Sequence, residues 1–542
     1  MSYPSLEQYQ EALQHPRTAL LDPELRAGKI ATTNLGLPLV MCGGFALTYT
    51  VSAAGRRYAV RCFHKQSPDL ERRYRAISGK LIQMASAYFL PFEFQAQGVR
   101  IAGNTYPVVK MAWANGDTLG DFVADNHRNP AALATLRNCL KALASYLEIQ
   151  QLAHGDIQPG NLMIADGGAS IQLIDYDGMF VPAIQALGAA EIGHRNFQHP
   201  RRTSQEFGPT LDRFSLICTT VALHALEVDS TLWDQTQSDS DAFLFRASDF
   251  SDPGTSAIFH RLMAQSSLAP EAKALAAVCL GDVGETPSLV DFLAGKGIPR
   301  RQIIVAASPV RPAIYTSQYT VLDANNYAAF LQNVGSMAEL IGMVTEVKHG
   351  YMKNGRGSYI FINFGNWRGH IVKLTIWSHA MSRLKDHVSS ALVGSWVSVV
   401  GLVEPAYVNS KFGYSHISID ITSPNQMRVI SPAEAAFRLG VGTHGQSAPI
   451  GNGNQARERR ISAGASSTRG SSVAGGPRAT GGSMSRNAAI LQNMQKTQRT
   501  RPSPLPTRPP PPPPTPVAPS RQAAVKKPTN TWWSRFMDLW KK

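Results

Sequence analysis

Cysteine is scarce and scattered in this chain: Cys42, Cys62, Cys139, Cys218 and Cys279 are five among 542 residues, odd in number and without a C-x-x-C pair. That spacing excludes a disulfide framework and a structural zinc site and points to a reducing compartment. Long apolar runs are missing too, with nothing near the roughly 18 residues a spanning helix needs. The opening Met-Ser-Tyr-Pro-Ser-Leu-Glu has neither the charged nor the apolar region of a secretory leader. A cytoplasmic protein, at most peripheral at a membrane, is the expectation. Acidic residues nearly vanish from 441–542, which hold 16 Lys and Arg against 2 Asp and Glu and so account for +14 of the net +15. The basic pI therefore describes a tail and not the folded body.

At 542 residues the chain is too long for one core, and two to four units are expected. Residues 1–34 read as an N-terminal helical extension. From 433 to 528 the composition turns to Gly, Ser, Ala, Arg and then Pro, which cannot bury a core and reads as disordered. Six consecutive prolines at 509–514, inside the Pro-rich stretch 502–519 and beside Arg508, suit either a proline-reading partner or a passive spacer. Residues 529–542 return to order: Trp533, Phe536, Met537 and Trp540 recur at helical spacing. Such a basic amphipathic helix is expected to dock on a partner protein or a membrane surface at 531–542.

The chemistry concentrates between residues 154 and 178. His154-Gly155-Asp156 is followed after four residues by Asn161, and Asp175-Tyr176-Asp177-Gly178 comes soon after. Two acids flanking an amide make an oxygen donor set suited to a hard cation such as Mg²⁺. Leu162-Met163-Ile164 and Ile171-Gln172-Leu173-Ile174 are β-rich runs around a Gly-rich turn, a hairpin with the polar residues at its ends. A leucine stripe, Leu133, Leu136, Leu140, Leu143 and Leu147, predicts an amphipathic helix over 130–153 that feeds into His154.

These residues resemble the protein-kinase superfamily, whose catalytic loop reads H-R-D-x-x-x-x-N and whose metal loop reads D-F-G. The resemblance extends over 35–300. Gly43 and Gly44 stand in a thinned glycine-rich loop, and Arg61 takes the place of the phosphate-binding lysine, with Glu71 of helix 69–84 either its partner or a solvated acid that caps that helix. Tyr106–Trp113 resembles the strand that leads to the adenine-binding hinge. Arg201 replaces the glutamate of Ala-Pro-Glu and Thr286 its arginine partner, while Leu211-Asp212-Arg213-Phe214 resembles the start of the central buried helix. The resemblance implies ATP and Mg²⁺, with Asp156 as the hydroxyl-orienting base and His154 and Asp212 supporting it. It places Arg61, Gly43 and Gly44 on the phosphates, the backbone of Lys110, Met111, Ala112 and Trp113 at the adenine, and Asn161, Asp175 and Asp177 on the metal.

After a connector over 301–335, residues 336–432 hold about six strand-like runs with one short helix between the third and fourth, and resemble an OB-fold barrel. Tyr359, Phe361, Trp367 and Trp377 stand among Lys348, Lys353, Arg356, Arg368 and Lys373. Such interleaving suits single-stranded nucleic acid, or simply a barrel core with solvated turns.

The expected architecture is thus α+β: a two-lobed protein-kinase-like domain, a small OB-like β-barrel and a disordered basic Pro-rich tail. The expected activity is phosphoryl transfer to a protein serine or threonine. Three alternatives stay open: a pseudokinase scaffold that binds nucleotide, a small-molecule kinase suggested by Gly155 and Gln158, and a barrel that binds single-stranded nucleic acid.

Overall fold

The computed structural model describes residues 3–440, apart from 34–35, 43–45, 67–68, 240, 310–314, 352–356 and 410–411. All of these belong to one of the chain's two units, residues 1–480. Gly43, Gly44, Lys353, Arg356, the Pro-rich stretch 502–519 and the terminal segment 531–542 lie outside the described residues.

The architecture is mixed α+β. Helix α1 (Leu6–Leu13) starts at a capping box, with the Ser5 side chain accepting from the Gln8 amide. Its Leu6, Tyr9 and Leu13 pack on Leu47, Tyr49, Val51 and Val60 of an antiparallel sheet. That sheet contains β1 (Ala46–Ala53), β2 (Arg56–Phe63), β3 (Phe92–Ile101) and β4 (Asn104–Ala112), ordered β1-β2-β4-β3. Helix α2 (Leu70–Met84) lays Tyr74 and Ile77 in a core with Phe63 and Phe92.

Next come α3 (Leu119–Asn126) and α4 (Pro130–Ile149), the latter opened by Asn129, whose side chain accepts from the Ala132 amide, with Pro130 at its first turn. All five leucines of its stripe are buried, each worth roughly 1.5–3 kcal/mol. The hairpin is β5 (Leu162–Ala165) paired with β6 (Ser170–Leu173), and α5 (Arg213–Val228), buried almost all round, packs along α4.

The C-terminal β domain begins earlier than expected. The presumed connector supplies β7 (Thr320–Asp323), parallel to β8 (Met337–Met343), and α6 (Tyr327–Gln332), whose Tyr327 hydroxyl meets Ser415. Two sheets follow, joined where Val403 bridges Ile419. β12 (Trp396–Leu402) joins β8 and β15 (Met427–Ile430), while β9 (Glu346–Tyr351), β10 (Ser358–Asn363), β11 (His370–Trp377), β14 (Tyr414–Asp420) and β13 (Tyr407–Asn409) make the second sheet in that order. The run expected as one strand over 340–348 breaks at 344–345 into β8 and β9, one in each sheet. The inserted helix expected over 378–388 shrinks to Met381–Leu384.

Order also persists past 432. Helix α7 (Pro432–Arg438) is capped by Ser431, and its Arg438 pairs with the buried Glu339 at 3.0 Å. A buried ion pair with further hydrogen bonds holds this segment to the β domain, where composition alone suggested disorder from 433. Among the described residues no helix is long and apolar enough to cross a membrane.

Candidate functional site

The loop after α4 is fixed from beneath. Asp212, at the start of α5, accepts hydrogen bonds from the backbone amides of His154 (2.5 Å) and Gly155 (2.8 Å). Gly155 has φ +81°, and a Cβ there would lie 2.2 Å from the Gly178 carbonyl oxygen, so no other residue fits without moving the 175–178 segment. His154 is fully buried and its Nε2 lies 2.9 Å from the Ile174 carbonyl. His154 and Asp212 therefore hold the loop and do not line the cleft. The Asp156 carboxylate accepts from the His194 amide (2.7 Å), Gln158 Nε2 (2.6 Å) and Asn161 Nδ2 (2.9 Å). A carboxylate has about four lone-pair sites, so one remains for an incoming hydroxyl.

Asp175 adopts a left-handed backbone, φ +64°. That conformation is costly outside glycine and recurs at functional sites. Its carboxylate lies 2.8 Å from Arg61, and Asp177 meets the same guanidinium at 2.7 Å. The Tyr74 hydroxyl donates to the other oxygen of Asp177. The expected partner of Arg61 is thereby corrected: Glu71 points to solvent and pairs with Arg75 four residues on. Helix α2 presents Tyr74 inward instead, and Asp177 is committed to Arg61 and Tyr74 more than to a metal. Burial pushes the Asp177 carboxyl up to about 6, with Asp175 adding to the effect against Arg61. Burial also raises Asp175, but Arg61 outweighs it and holds that carboxyl below the usual range. Tyr176 is fully buried and ties the loop to both sides, donating to the Leu173 carbonyl and accepting from the Leu90 amide.

Arg61, Asp156, Asn161, Asp175 and Asp177 line a cleft of about 560 Å³. Its apolar walls include Ala59, Leu90, Met111, Met163 and Ile174, and its polar floor carries Asp156, Asn161, Asp175 and Asp177. Met41 and Thr48 line it as well. Met111, Ala112 and Trp113 are present, but the Ala112 and Trp113 amides already donate to Pro91 and Arg57 carbonyls. Lys110 is turned away: strand alternation sends its amine to Asp22 (3.1 Å) and Glu24 (2.8 Å).

Glu191 is a cleft acid that the sequence did not single out. Burial, then the Asp156, Asp177 and Asp175 carboxylates, holds it well above the usual carboxylate range. No motif marks it, because nothing local to 191 says that it returns to Asp156.

No protein-family profile and no curated protein sequence matches the chain. The site must speak through its chemistry. Four carboxylates, of Asp156, Asp175, Asp177 and Glu191, line the cleft with the Arg61 guanidinium, which contacts Asp175 and Asp177 directly. Among the described residues no three His, Cys, Asp or Glu side chains are grouped to hold a metal by themselves. Mg²⁺, however, is usually held by one or two carboxylates plus waters and phosphates. Asp175 and Asn161 fit that role, since Asn161 spends its amide nitrogen on Asp156 and keeps its oxygen. Arg61 Nη1 is buried with no hydrogen-bond partner, a donor suited to an anion.

Arg201 and Thr286 do not pair. Arg201 reaches Asp282 at 2.9 Å on the surface, and the Thr286 carbonyl accepts from Arg213. The exposed pair is worth about 0–1 kcal/mol.

On the β domain, Tyr414 stacks on His416 with centroids 4.7 Å apart, and Trp367 stands edge-on to Tyr414 at 6.1 Å. Lys348 and Arg368 lie over Trp367 at 5.5 and 5.1 Å, and Lys373 lies over Phe361 at 3.7 Å. Trp377 is buried and donates to Asp420.

Proposed function

We propose that the chain is an ATP- and Mg²⁺-dependent kinase of protein-kinase-like fold that phosphorylates protein serine or threonine. The observation that carries this reading is Asp156, fixed by three donors with one acceptor site to spare, on the same cleft wall as Asn161 and Asp175. Phosphoryl transfer needs positioning and charge neutralisation more than covalent chemistry. The acceptor hydroxyl is oriented by Asp156, which takes its proton as the new oxygen–phosphorus bond forms and the bond to the diphosphate leaving group breaks. Arg61 contributes its unpaired Nη1 to phosphate oxygens, and the walls of Ala59, Met111 and Met163 suit a planar base. Mg²⁺, when bound, supplies neutralisation of phosphate charge, with Asp175 and Asn161 as its protein ligands.

The test is Asp156→Asn in the full chain. Transfer should fall at least 100-fold while the affinity for an ATP analogue changes less than threefold. Nucleotide binding without any transfer by the unmodified chain would favour the scaffold reading. Transfer to a small alcohol in preference to protein would favour the small-molecule one.

A second reading concerns the β domain, where the stacked Tyr414 and His416, with Trp367 edge-on to Tyr414 and under Lys348 and Arg368, suit single-stranded nucleic acid. Trp367→Ala should weaken oligonucleotide binding at every salt concentration. Unchanged affinity across a salt series removes this reading.

A further inference from the structure

The cleft is not closed by residues 35–300 alone. Gln318, Tyr319 and Met337 line it together with Asp156. Gln318 accepts a hydrogen bond from the Arg195 backbone amide at 3.2 Å, and the Tyr319 ring stands edge-on to His194 with centroids 6.4 Å apart. His194 in turn donates its backbone amide to Asp156. The segment 315–319 thus lies one residue removed from the base, along the strip that borders it.

Its attachments differ in kind on its two sides. Toward the β domain they are buried: the Tyr315 hydroxyl donates to Glu339 at 3.0 Å, and Arg438, ion-paired to Glu339, lies over the Tyr315 ring at 4.9 Å. Between the β domain and the cleft-bearing part they are mostly polar, and the largely buried Arg246, Asp239 and Asp241 of that part interact with the same Tyr315, Glu339 and Arg438. Arg383 pairs with Asp117 at 2.8 Å through side chains about half exposed, 56% and 45%. Asp121 accepts from Ser423 and Asn425, and Arg428 reaches the Ser238 carbonyl. Leu402 and Met337 add an apolar contact to the core beneath α1. Exposed ion pairs are individually weak and screened by salt, whereas breaking the Arg438–Glu339 pair would strand a buried charge. Segment and β domain should therefore move as one.

We propose that residues 315–319, carried by the docked β domain, form a cover in cis that keeps a protein acceptor from Asp156 until a partner that binds the β domain draws it away. The acceptor role rests on the kinase reading; the cover itself rests only on these contacts. A partner opens it to the extent that it binds the undocked form better.

Two full-chain variants test this: Gln318→Ala with Tyr319→Ala, which trims the cover, and Arg383→Glu, which sets like charge beside Asp117 and Asp121. Hydrogen–deuterium exchange of 192–198 is followed without nucleotide, and phosphate transfer to dephosphorylated casein is followed alongside affinity for a fluorescent ATP analogue. Both variants should raise exchange at 192–198 and speed casein phosphorylation at least fivefold at saturating nucleotide, with Arg383→Glu, which lies off the cleft, leaving nucleotide affinity unchanged. Exchange unchanged in both overturns the cover, whatever the activity. Raised exchange with casein transfer no faster overturns the acceptor role. No nucleotide binding or transfer by any form defeats the kinase reading and the acceptor role with it, and the exchange result still decides the cover.

Discussion

The Arg61 guanidinium and the Asp177 carboxylate, 116 residues apart in the chain, meet at 2.7 Å in the cleft, with Asp175 on the same guanidinium at 2.8 Å. Arg61→Ala would leave two carboxylates facing one another without a cation. A stability loss of about 3–5 kcal/mol is expected, together with at least tenfold weaker nucleotide binding. Arg61→Lys restores a point charge but not a planar fork, so it should fall between the parent and the alanine variant in both. Urea unfolding and ATP-analogue titration check this. Equal nucleotide affinity in all three proteins would remove Arg61 from the phosphate site.

Arg61 is paired by Asp175 and Asp177 where the sequence suggested Glu71, and Tyr74 of the same helix donates to Asp177. Tyr74→Phe keeps the ring among Phe63, Phe92 and Phe94 but removes the hydroxyl that reaches Asp177. A loss of about 1–3 kcal/mol is expected in denaturant unfolding. A variant as stable as the parent would mean that Arg61 alone satisfies Asp177.

Glu404 lies where α1 meets the β domain, with Gln10 Nε2 at 3.3 Å. Burial and the nearby Asp420 push its carboxyl up to about 8. The unfolded chain releases this proton near the ordinary glutamate value, so between there and pH 8 the folded state binds more protons. Stability from this group is accordingly full at low pH and lost as pH rises toward 8. Glu404→Gln cannot ionise. Its stability should fall less than the parent's between pH 5 and pH 8, with Tm at pH 8 higher by at least about 2 °C. Parallel pH profiles would show that Glu404 does not keep its proton on folding.

Arg438→Met should release α7. It leaves Glu339, buried in β8, with hydrogen bonds from Ser398 and Tyr315 but no other ion pair among the described residues. A cost of about 3–5 kcal/mol is expected, and proteolysis should begin earlier at 432–440. The double variant with Glu339→Gln should recover part of the loss, measured as a double-mutant cycle.

The sequence by itself determined what is local. The α4 leucine stripe, the 162–173 hairpin and the spacing from Asp156 to Asn161 to Asp175 lie within one stretch, where helical period, turn residues and a few intervening positions dictate which groups share a surface. Asp212 was legible as well, because a short motif at the head of a buried helix carries it. Tertiary packing decided the rest. Lys110 faces Asp22 and Glu24 because strand register assigns each residue a side. Tyr74 displaces Glu71 because the α2 face that meets the core is chosen by its apolar residues. Glu191 and Tyr319 reach the cleft only because distant segments fold back over Asp156. Helix α7 orders because a buried carboxylate in β8 needs a cation, a demand that no window of residues around 438 contains. Sequence pattern encodes near neighbours through backbone geometry, whereas charge compensation between remote segments exists only once the core has brought them together.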